Sequence, residues 1–259
     1  MPFRQVGDLR YLEFDILRFP RLAHGVFTRL GGSSPAPWDS LNLGSTVGDA
    51  LENVQANRGL ILRTIGRAED SLHEVWQTHS NQVVLVRAPR AGAPLVQADA
   101  MITSSPHVTL LMRFADCIPI LLYDPVRHAA GIAHAGWLGT VRKTALETVR
   151  AMAAQFGSRP REIRAALGPA IGVDHFPIGA EVEQQFQEAF GAESARHLKP
   201  YNGAIHLDLG SANRWLLESE GVVDIEESGL CTACHLSDWY SHRGEAGRTG
   251  RFGALIGLR

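Results

Sequence analysis

The chain has 259 residues, 45 % of them hydrophobic and 20 % charged, with a formal net charge of −2. This is the composition of a soluble globular protein, and it excludes a basic stripe for nucleic acid and a Lys/Arg-rich helix for a membrane surface. The longest apolar runs, such as 118–123, fall far short of the roughly 20 residues that cross a bilayer, and the N-terminus lacks a secretory-type apolar core, so a cytoplasmic protein acting on a small molecule is expected.

Taken in chain order, residues 30–44 are dense in Gly, Pro and Ser and read as a long loop. Asp49 is placed to cap a helix running to about Ile65, with Leu51, Val54, Leu60 and Ile61 as its apolar positions. Four β-type runs follow, at 82–86, 108–112, 118–123 and 129–133. Apolar residues at successive positions predict strands covered on both faces. Residues 140–156 read as one helix stopped by Gly157, and 163–167 as a strand ending at Gly168-Pro169. Helices are expected at 181–190 and from an Asp208 cap to about Glu220, and strands at 222–225 and 252–258. Strands and helices are mixed without regular alternation. The expected fold is therefore an α/β (α+β type) layered sandwich of mixed β-sheets flanked by helices, as one domain over 1–259.

Three short segments each carry a metal-type ligand: His79 in Gln77-Thr78-His79-Ser80, Cys117 in Ala115-Asp116-Cys117, and His134 in Ala133-His134-Ala135-Gly136-Trp137. Two imidazoles and a thiolate make a three-ligand catalytic zinc set with a fourth position open. The same residues also suit a Cys nucleophile with a His base. The spacing forms no short metal motif, so the residues alone leave both readings standing beside ordinary packing roles.

The cysteines number three, Cys117, Cys231 and Cys234, which argues against a disulfide framework. Cys231-Thr232-Ala233-Cys234-His235 matches the haem c attachment pattern, but without an export signal that reading is rejected. The Cys-x-x-Cys remains open to a redox pair, half a zinc site or a structural pair packed beside the site; the last is preferred, because no second Cys-x-x-Cys completes a four-Cys site. No His-x-His pair feeds a copper cluster. Gly-x-Gly-x-x-Gly, Walker and Gly-x-Ser-x-Gly signatures are all absent. Gly168-Pro169-Ala170-Ile171-Gly172 suits a substrate-facing turn or a plain strand exit. Arg243, Arg248 and Arg251 form a local cluster suited to an anionic group.

Read together, these segments resemble the laccase-domain family, long labelled multicopper polyphenol oxidase, whose members are described as zinc-dependent purine nucleoside phosphorylases. The resemblance runs from His24-Gly25-Val26-Phe27-Thr28-Arg29 through Ser40-Leu41-Asn42-Leu43-Gly44, the three ligand segments, Gly168-Pro169-Ala170-Ile171-Gly172 and Leu207-Asp208-Leu209. It continues to Tyr240-Ser241-His242-Arg243 and Gly247-Arg248-Thr249-Gly250-Arg251. It implies that His79, Cys117 and His134 hold a metal, Zn2+ or else copper. It further implies phosphorolysis of adenosine, inosine, guanosine and S-methyl-5'-thioadenosine, with some adenosine deamination. Purine nucleoside and phosphate are then the partners, with no nucleic acid and no membrane, and the expected assembly is a monomer or weak homodimer.

The chain departs from the family in two places. Leu138 stands where the family usually has Arg, and Val173-Asp174-His175-Phe176 where it often has Cys and Tyr. Within this reading Asp116 is a candidate to orient a ligand or act as acid/base. Asn42, Gln77 and Arg29 are candidates for ribose, base and phosphate contacts, Trp137 for stacking on a purine, and Arg243 and Arg248 for the anion. The rival readings are a Cys/His hydrolase or deamidase built on Cys117 and a copper-dependent polyphenol oxidase.

Overall fold

The computed structural model describes residues 2–259. Its strands are β1 (Phe3–Val6), β2 (Leu9–Leu12), β3 (Leu22–Phe27), β4 (Leu72–His73), β5 (Val83–Leu85), β6 (Ala100–Thr103), β7 (Thr109–Phe114), β8 (Ile118–Asp124), β9 (Ala129–Ala135), β10 (Arg164–Leu167), β11 (Leu198–Tyr201), β12 (Ala204–Leu207), β13 (Asp224–Glu227) and β14 (Phe252–Leu258). Its helices are α1 (Leu51–Thr64), α2 (Trp137–Val141), α3 (Thr144–Phe156), α4 (Ala180–Phe190) and α5 (Leu209–Ser219).

Two six-stranded sheets, ordered β1-β2-β3-β14-β7-β4 and β13-β10-β8-β9-β6-β5, lie face to face, with β11-β12 as a separate pair. Most pairings are antiparallel, but β4–β7, β5–β6 and β10–β13 are parallel. The mixed-sheet sandwich expected from the sequence is present.

Side-chain alternation explains the layering. In β8, Ile118, Ile120 and Leu122 face the helices, while Leu121 and Tyr123 face the other sheet. β9 divides likewise, with Ala129, Ala133 and Ala135 on the helix side and Ala130 and Ile132 between the sheets. A strand apolar at every position has two faces to bury, which is what the unbroken runs predict. Outside the second sheet lie α3, α4 and α5, through Val149, Phe186 and Leu216. Outside the first lies α1, through Ile61 packed with Leu111 and Leu255. Each fully buried Leu or Ile contributes about 1.5–3 kcal/mol, so the central sheets form a stiff platform for the site.

The elements differ from expectation in three places. Asp49 does not cap α1: the N-cap is Ala50, with no side-chain bond. The Asp49 carboxylate accepts instead from Ser34 Oγ, Asn42 Nδ2 and Asn53 Nδ2, and so ties the long loop to the helix. The single helix expected at 140–156 is two, α2 starting already at Trp137, with Lys143 left-handed between them (φ 62°). The break has a use. Arg142 Nη1 donates to the His79 carbonyl at 2.8 Å, Asn81 Nδ2 donates to the Arg142 carbonyl at 3.1 Å, and Thr144 Oγ1 donates to the Ser80 carbonyl at 2.9 Å. An unbroken helix would keep the Arg142 carbonyl for itself. Finally, β1, β2, β3, β4, β6, β11 and β12 were not anticipated. The Asp208 cap is as expected, its carboxylate accepting from the Ser211 N–H at 3.0 Å.

No helix among the described residues is long and apolar enough to cross a membrane.

Candidate metal centre and its cavity

His79, Cys117 and His134 are far apart in the chain and meet at one end of the second sheet. β8 and β9 pair antiparallel with Pro119 opposite His134. Cys117, just before β8, therefore emerges beside His134, near the end of β9. His79 comes from the loop before β5 and is left-handed (φ 58°). Their ligand atoms lie within 4.8 Å of one another, with Cys117 Sγ 4.0 Å from His79 Nε2. Gly136 makes this approach possible: a Cβ there would stand 2.7 Å from Cys117 Sγ.

One buried carboxylate, not anticipated from the sequence, organises the trio. His134 Nδ1 donates to Asp99 Oδ1 at 2.9 Å. Asp99 Oδ2 accepts from the Thr78 N–H at 3.0 Å, the Ser80 N–H at 2.6 Å and Ser80 Oγ at 2.8 Å, the two backbone donors lying on either side of His79. Asp99 so fixes the tautomer that leaves His134 Nε2 for a metal, the usual support for a ligating histidine. These donors hold the Asp99 carboxyl well below the ordinary carboxylate range, although burial alone would raise it.

The polypeptide without metal is electrostatically poised. Burial pushes the Cys117 thiol up, but the adjoining His134 and His79 rings outweigh it and bring it down to about 6. His134 moves oppositely, up to about 9: burial opposes the shift, while the Cys117 charge and the Asp99 hydrogen bond drive it. These opposite shifts favour a thiolate beside an imidazolium, and a cation bound there would displace the proton. Two nitrogens and a soft thiolate, with one oriented imidazole, fit a zinc-type ion with an open fourth position.

The trio opens into a cavity of about 480 Å³. Arg113, Arg243 and Arg251 form its cationic wall, and Trp76, Trp137, Ile171, Phe176 and Leu209 its apolar one. Anion-binding groups and flat apolar surfaces thus share one chamber with the metal ligands.

The family described as multi-copper polyphenol oxidoreductase laccase matches residues 23–259. The chain belongs to this laccase family. It is 41 % identical to a Deinococcus radiodurans protein named purine nucleoside phosphorylase, over 94 % of this chain and 92 % of that one. It is 34 % identical to the Bacillus subtilis purine nucleoside phosphorylase YlmD, over 91 % and 88 % of the two chains. The fold superposes on the crystal structure of YlmD from Geobacillus stearothermophilus with a TM-score of 0.92 at 30 % identity, covering 99 % and 98 % of the chains.

Within this laccase-family chain the sequence candidates divide. Gln77, Asp116, Trp137 and Arg243 line the cavity with the trio. Gln77 is engaged: its Nε2 donates to the Arg113 carbonyl at 2.8 Å and its Oε1 accepts from the Arg113 N–H at 3.0 Å. Asp116 accepts from Thr232 Oγ1 and Ser241 Oγ, both at 2.6 Å, and from the Arg243 N–H at 2.7 Å. It ties the C-terminal loop to the segment that carries Cys117. Ile171, in the glycine-rich turn after β10, reaches the cavity, so that turn faces it.

Three candidates are not in the wall. Arg29 is buried and committed to the Asp39 and Leu236 carbonyls and to Glu245 at 2.9 Å, with Tyr240 stacked on its guanidinium. Asn42 is buried in the long loop, where its Oδ1 accepts from the Gly44 and Arg251 N–H groups. It shapes the wall without touching the cavity. Arg248 is exposed and lies outside the chamber. The groups that sequence reasoning missed are Asp99, Arg113, Trp76 and His242. A lone acid in the apolar stretch Ala98-Asp99-Ala100 was the available signal, since a buried charge needs partners.

Proposed function

We propose that this chain is a zinc-dependent purine nucleoside phosphorylase. It converts adenosine, inosine, guanosine and S-methyl-5'-thioadenosine, with phosphate, to the free base and the pentose 1-phosphate, and deaminates adenosine as a side reaction. The observation that carries this reading is the placement of a three-ligand metal set, three arginines and exposed indole in one cavity. The names of the relatives support the same assignment.

His79, Cys117 and His134 would hold the ion. Zinc bound there supplies Lewis-acid stabilisation of an anionic oxygen. The chain's own residues do the rest. Arg243 makes no hydrogen bond from its guanidinium among the described residues, and Arg251 spends only Nη1, on the Thr249 and Gly250 carbonyls. Both are therefore open to phosphate, which guanidinium matches in geometry and charge. Arg113 is braced by Glu74 at 3.1 Å and adds fixed positive potential. Trp76 and Trp137 offer flat faces to the purine, holding C1' towards the phosphate. The bond from C1' to the purine nitrogen breaks with its electron pair leaving on the base, and a phosphate oxygen forms the new bond to C1'. His242 lines the same wall and supplies a proton to the departing base.

The test is product chromatography of adenosine incubated with purified protein, with and without phosphate and with and without chelator. Adenine and ribose 1-phosphate formed only with phosphate, and lost with chelator, are expected. Inosine alone would make deamination the main chemistry. Activity on other substrates that resists chelators and falls stoichiometrically with thiol alkylation would shift the assignment to a hydrolase with Cys117 as nucleophile.

A further inference from the structure

A second cluster of ligand-type side chains lies outside the catalytic trio. Asp174 and His175, in the short turn after Gly172, face Cys231 and Cys234 from the C-terminal loop, and the four ligand atoms lie within 4.8 Å of one another. We infer that Asp174, His175, Cys231 and Cys234 form a second, structural zinc site that staples two loops of the cavity wall together.

The distances carry the inference. Zinc bond lengths of about 2.0–2.3 Å place neighbouring ligand atoms about 3.3–3.8 Å apart in a tetrahedron. His175 Nδ1 is 3.8 Å from Cys231 Sγ and 3.6 Å from Cys234 Sγ. Cys234 Sγ is 3.6 Å from Asp174 Oδ2, and Asp174 Oδ1 is 3.1 Å from His175 Nδ1. Both sulfurs are free thiols. The three distances from sulfur already match an occupied site, while Asp174 meets Cys234 and His175 through different oxygens and has to turn its carboxylate to offer one of them to an ion. Its donor set, two soft sulfurs with an imidazole and a carboxylate, selects zinc over magnesium or calcium.

The backbone prepares the arrangement. Ala170 and Cys231 form a parallel bridge, with the Ala170 N–H donating to the Leu230 carbonyl at 3.2 Å and the Thr232 N–H to the Ala170 carbonyl at 3.0 Å. The Gly172 N–H donates to Cys231 Sγ at 3.1 Å, a contact that stabilises a thiolate. A Cβ on Gly172 would stand 2.6 Å from Asp174 Oδ1 and 3.1 Å from Cys231 Sγ. Two cysteines and a carboxylate gathered this closely offer an incoming cation three anionic ligands, the thiol protons being displaced as it binds. The lone Cys-x-x-Cys is half of this site, and its complement lies 56 residues earlier in the chain.

The consequence reaches the cavity. Ile171 and Phe176, on either side of the cluster in sequence, line the chamber, and Thr232 holds Asp116. An ion at the cluster fixes both loops, and so fixes that wall.

The experiment is elemental analysis of the full chain purified under reductant, followed by cobalt substitution. Two zinc ions per chain are expected. The double variant His79→Ala/Cys117→Ser should keep one, and its cobalt form should show thiolate-to-cobalt charge-transfer absorption. Adding Cys234→Ser should remove that remaining zinc and the charge-transfer absorption with it. Asp174→Asn, at an exposed position, should weaken zinc binding at this site about tenfold or more without changing the circular dichroism. Absence of zinc from the His79→Ala/Cys117→Ser protein while it remains folded would overturn the proposal, as would full zinc retention in Cys231→Ser/Cys234→Ser. So would a mass lower by two hydrogens, marking a Cys231–Cys234 disulfide in place of a metal. None of these outcomes depends on nucleoside turnover, so failure here is distinct from failure of the phosphorolysis reading.

Discussion

Asp99 is the residue on which His134 depends: its Oδ1 accepts from His134 Nδ1 at 2.9 Å, while its Oδ2 holds the backbone on both sides of His79. One carboxylate therefore orients one ligand directly and a second through its loop. Asp99→Asn keeps the shape but replaces one acceptor oxygen with a donor. Support of this kind for a metal ligand changes metal affinity about 10–100-fold. Zinc affinity at the His79/Cys117/His134 site, read by competition with a chelating indicator, should fall by about that factor. Unchanged affinity would remove Asp99 from the metal's support.

Gly136→Ala should act on the metal without acting on the backbone. Gly136 has φ −84°, a conformation that alanine adopts freely. The added Cβ, however, would stand 2.7 Å from Cys117 Sγ. The thiolate has to move, and zinc binding together with nucleoside turnover should drop more than about tenfold for a displacement of this size. Thermal unfolding of the chelated protein should shift far less than that of the metal-loaded one. Equal shifts would mean that the clash is relieved by the sheet rather than by Cys117.

Much of this was legible because burial is written into continuous apolar runs. β8 and β9 are buried at every position, and their sequences show it. β1 and β2 were missed because they are four residues each and carry Arg4, Gln5 and Arg10 among their apolar residues. β3 was missed because His24 and Gly25 interrupt it. The break at Lys143 has no Gly or Pro to announce it; its cause is the His79 loop, which is distant in sequence. Arg29 looked like an anion ligand because charge does not say which partner claims it, and Glu245, 216 residues away, does. Cys117 and His134 were recognisable as chemistry, but only the β8–β9 register explains why a 17-residue spacing closes a site.

Arg243 and Arg248 make a matched comparison. Both are exposed arginines on the C-terminal loop, but only Arg243 lines the cavity, its guanidinium 5.5 Å above the Phe176 ring. A charge-assisted hydrogen bond is worth about 1.5–3 kcal/mol. Arg243→Ala should therefore raise the KM for phosphate about tenfold or more, with a smaller change for the nucleoside. Arg248→Ala should leave both within about twofold, since surface changes away from a site have little effect. The reverse ranking would place phosphate elsewhere.

His24 should set part of the acid limit of stability. It is buried in β3, where its Nε2 accepts from the Phe14 N–H at 2.9 Å. Burial pushes its pKa down to about 4 from an ordinary 6.5. Below about 6.5 the unfolded chain takes up a proton that the folded chain refuses, so the folded state binds fewer protons and loses stability as pH falls. The contribution is whole above about 6.5 and gone by about 4, and amounts to about 3 kcal/mol. In His24→Gln, whose side-chain carbonyl can still accept from the Phe14 N–H and does not titrate, the loss between those pH values should shrink by about that amount. Urea unfolding midpoints at several pH values compare the two proteins. If the variant loses stability on acidification as steeply as the original chain, His24 is not the group responsible, and the carboxylates that hold the loops carry the effect instead.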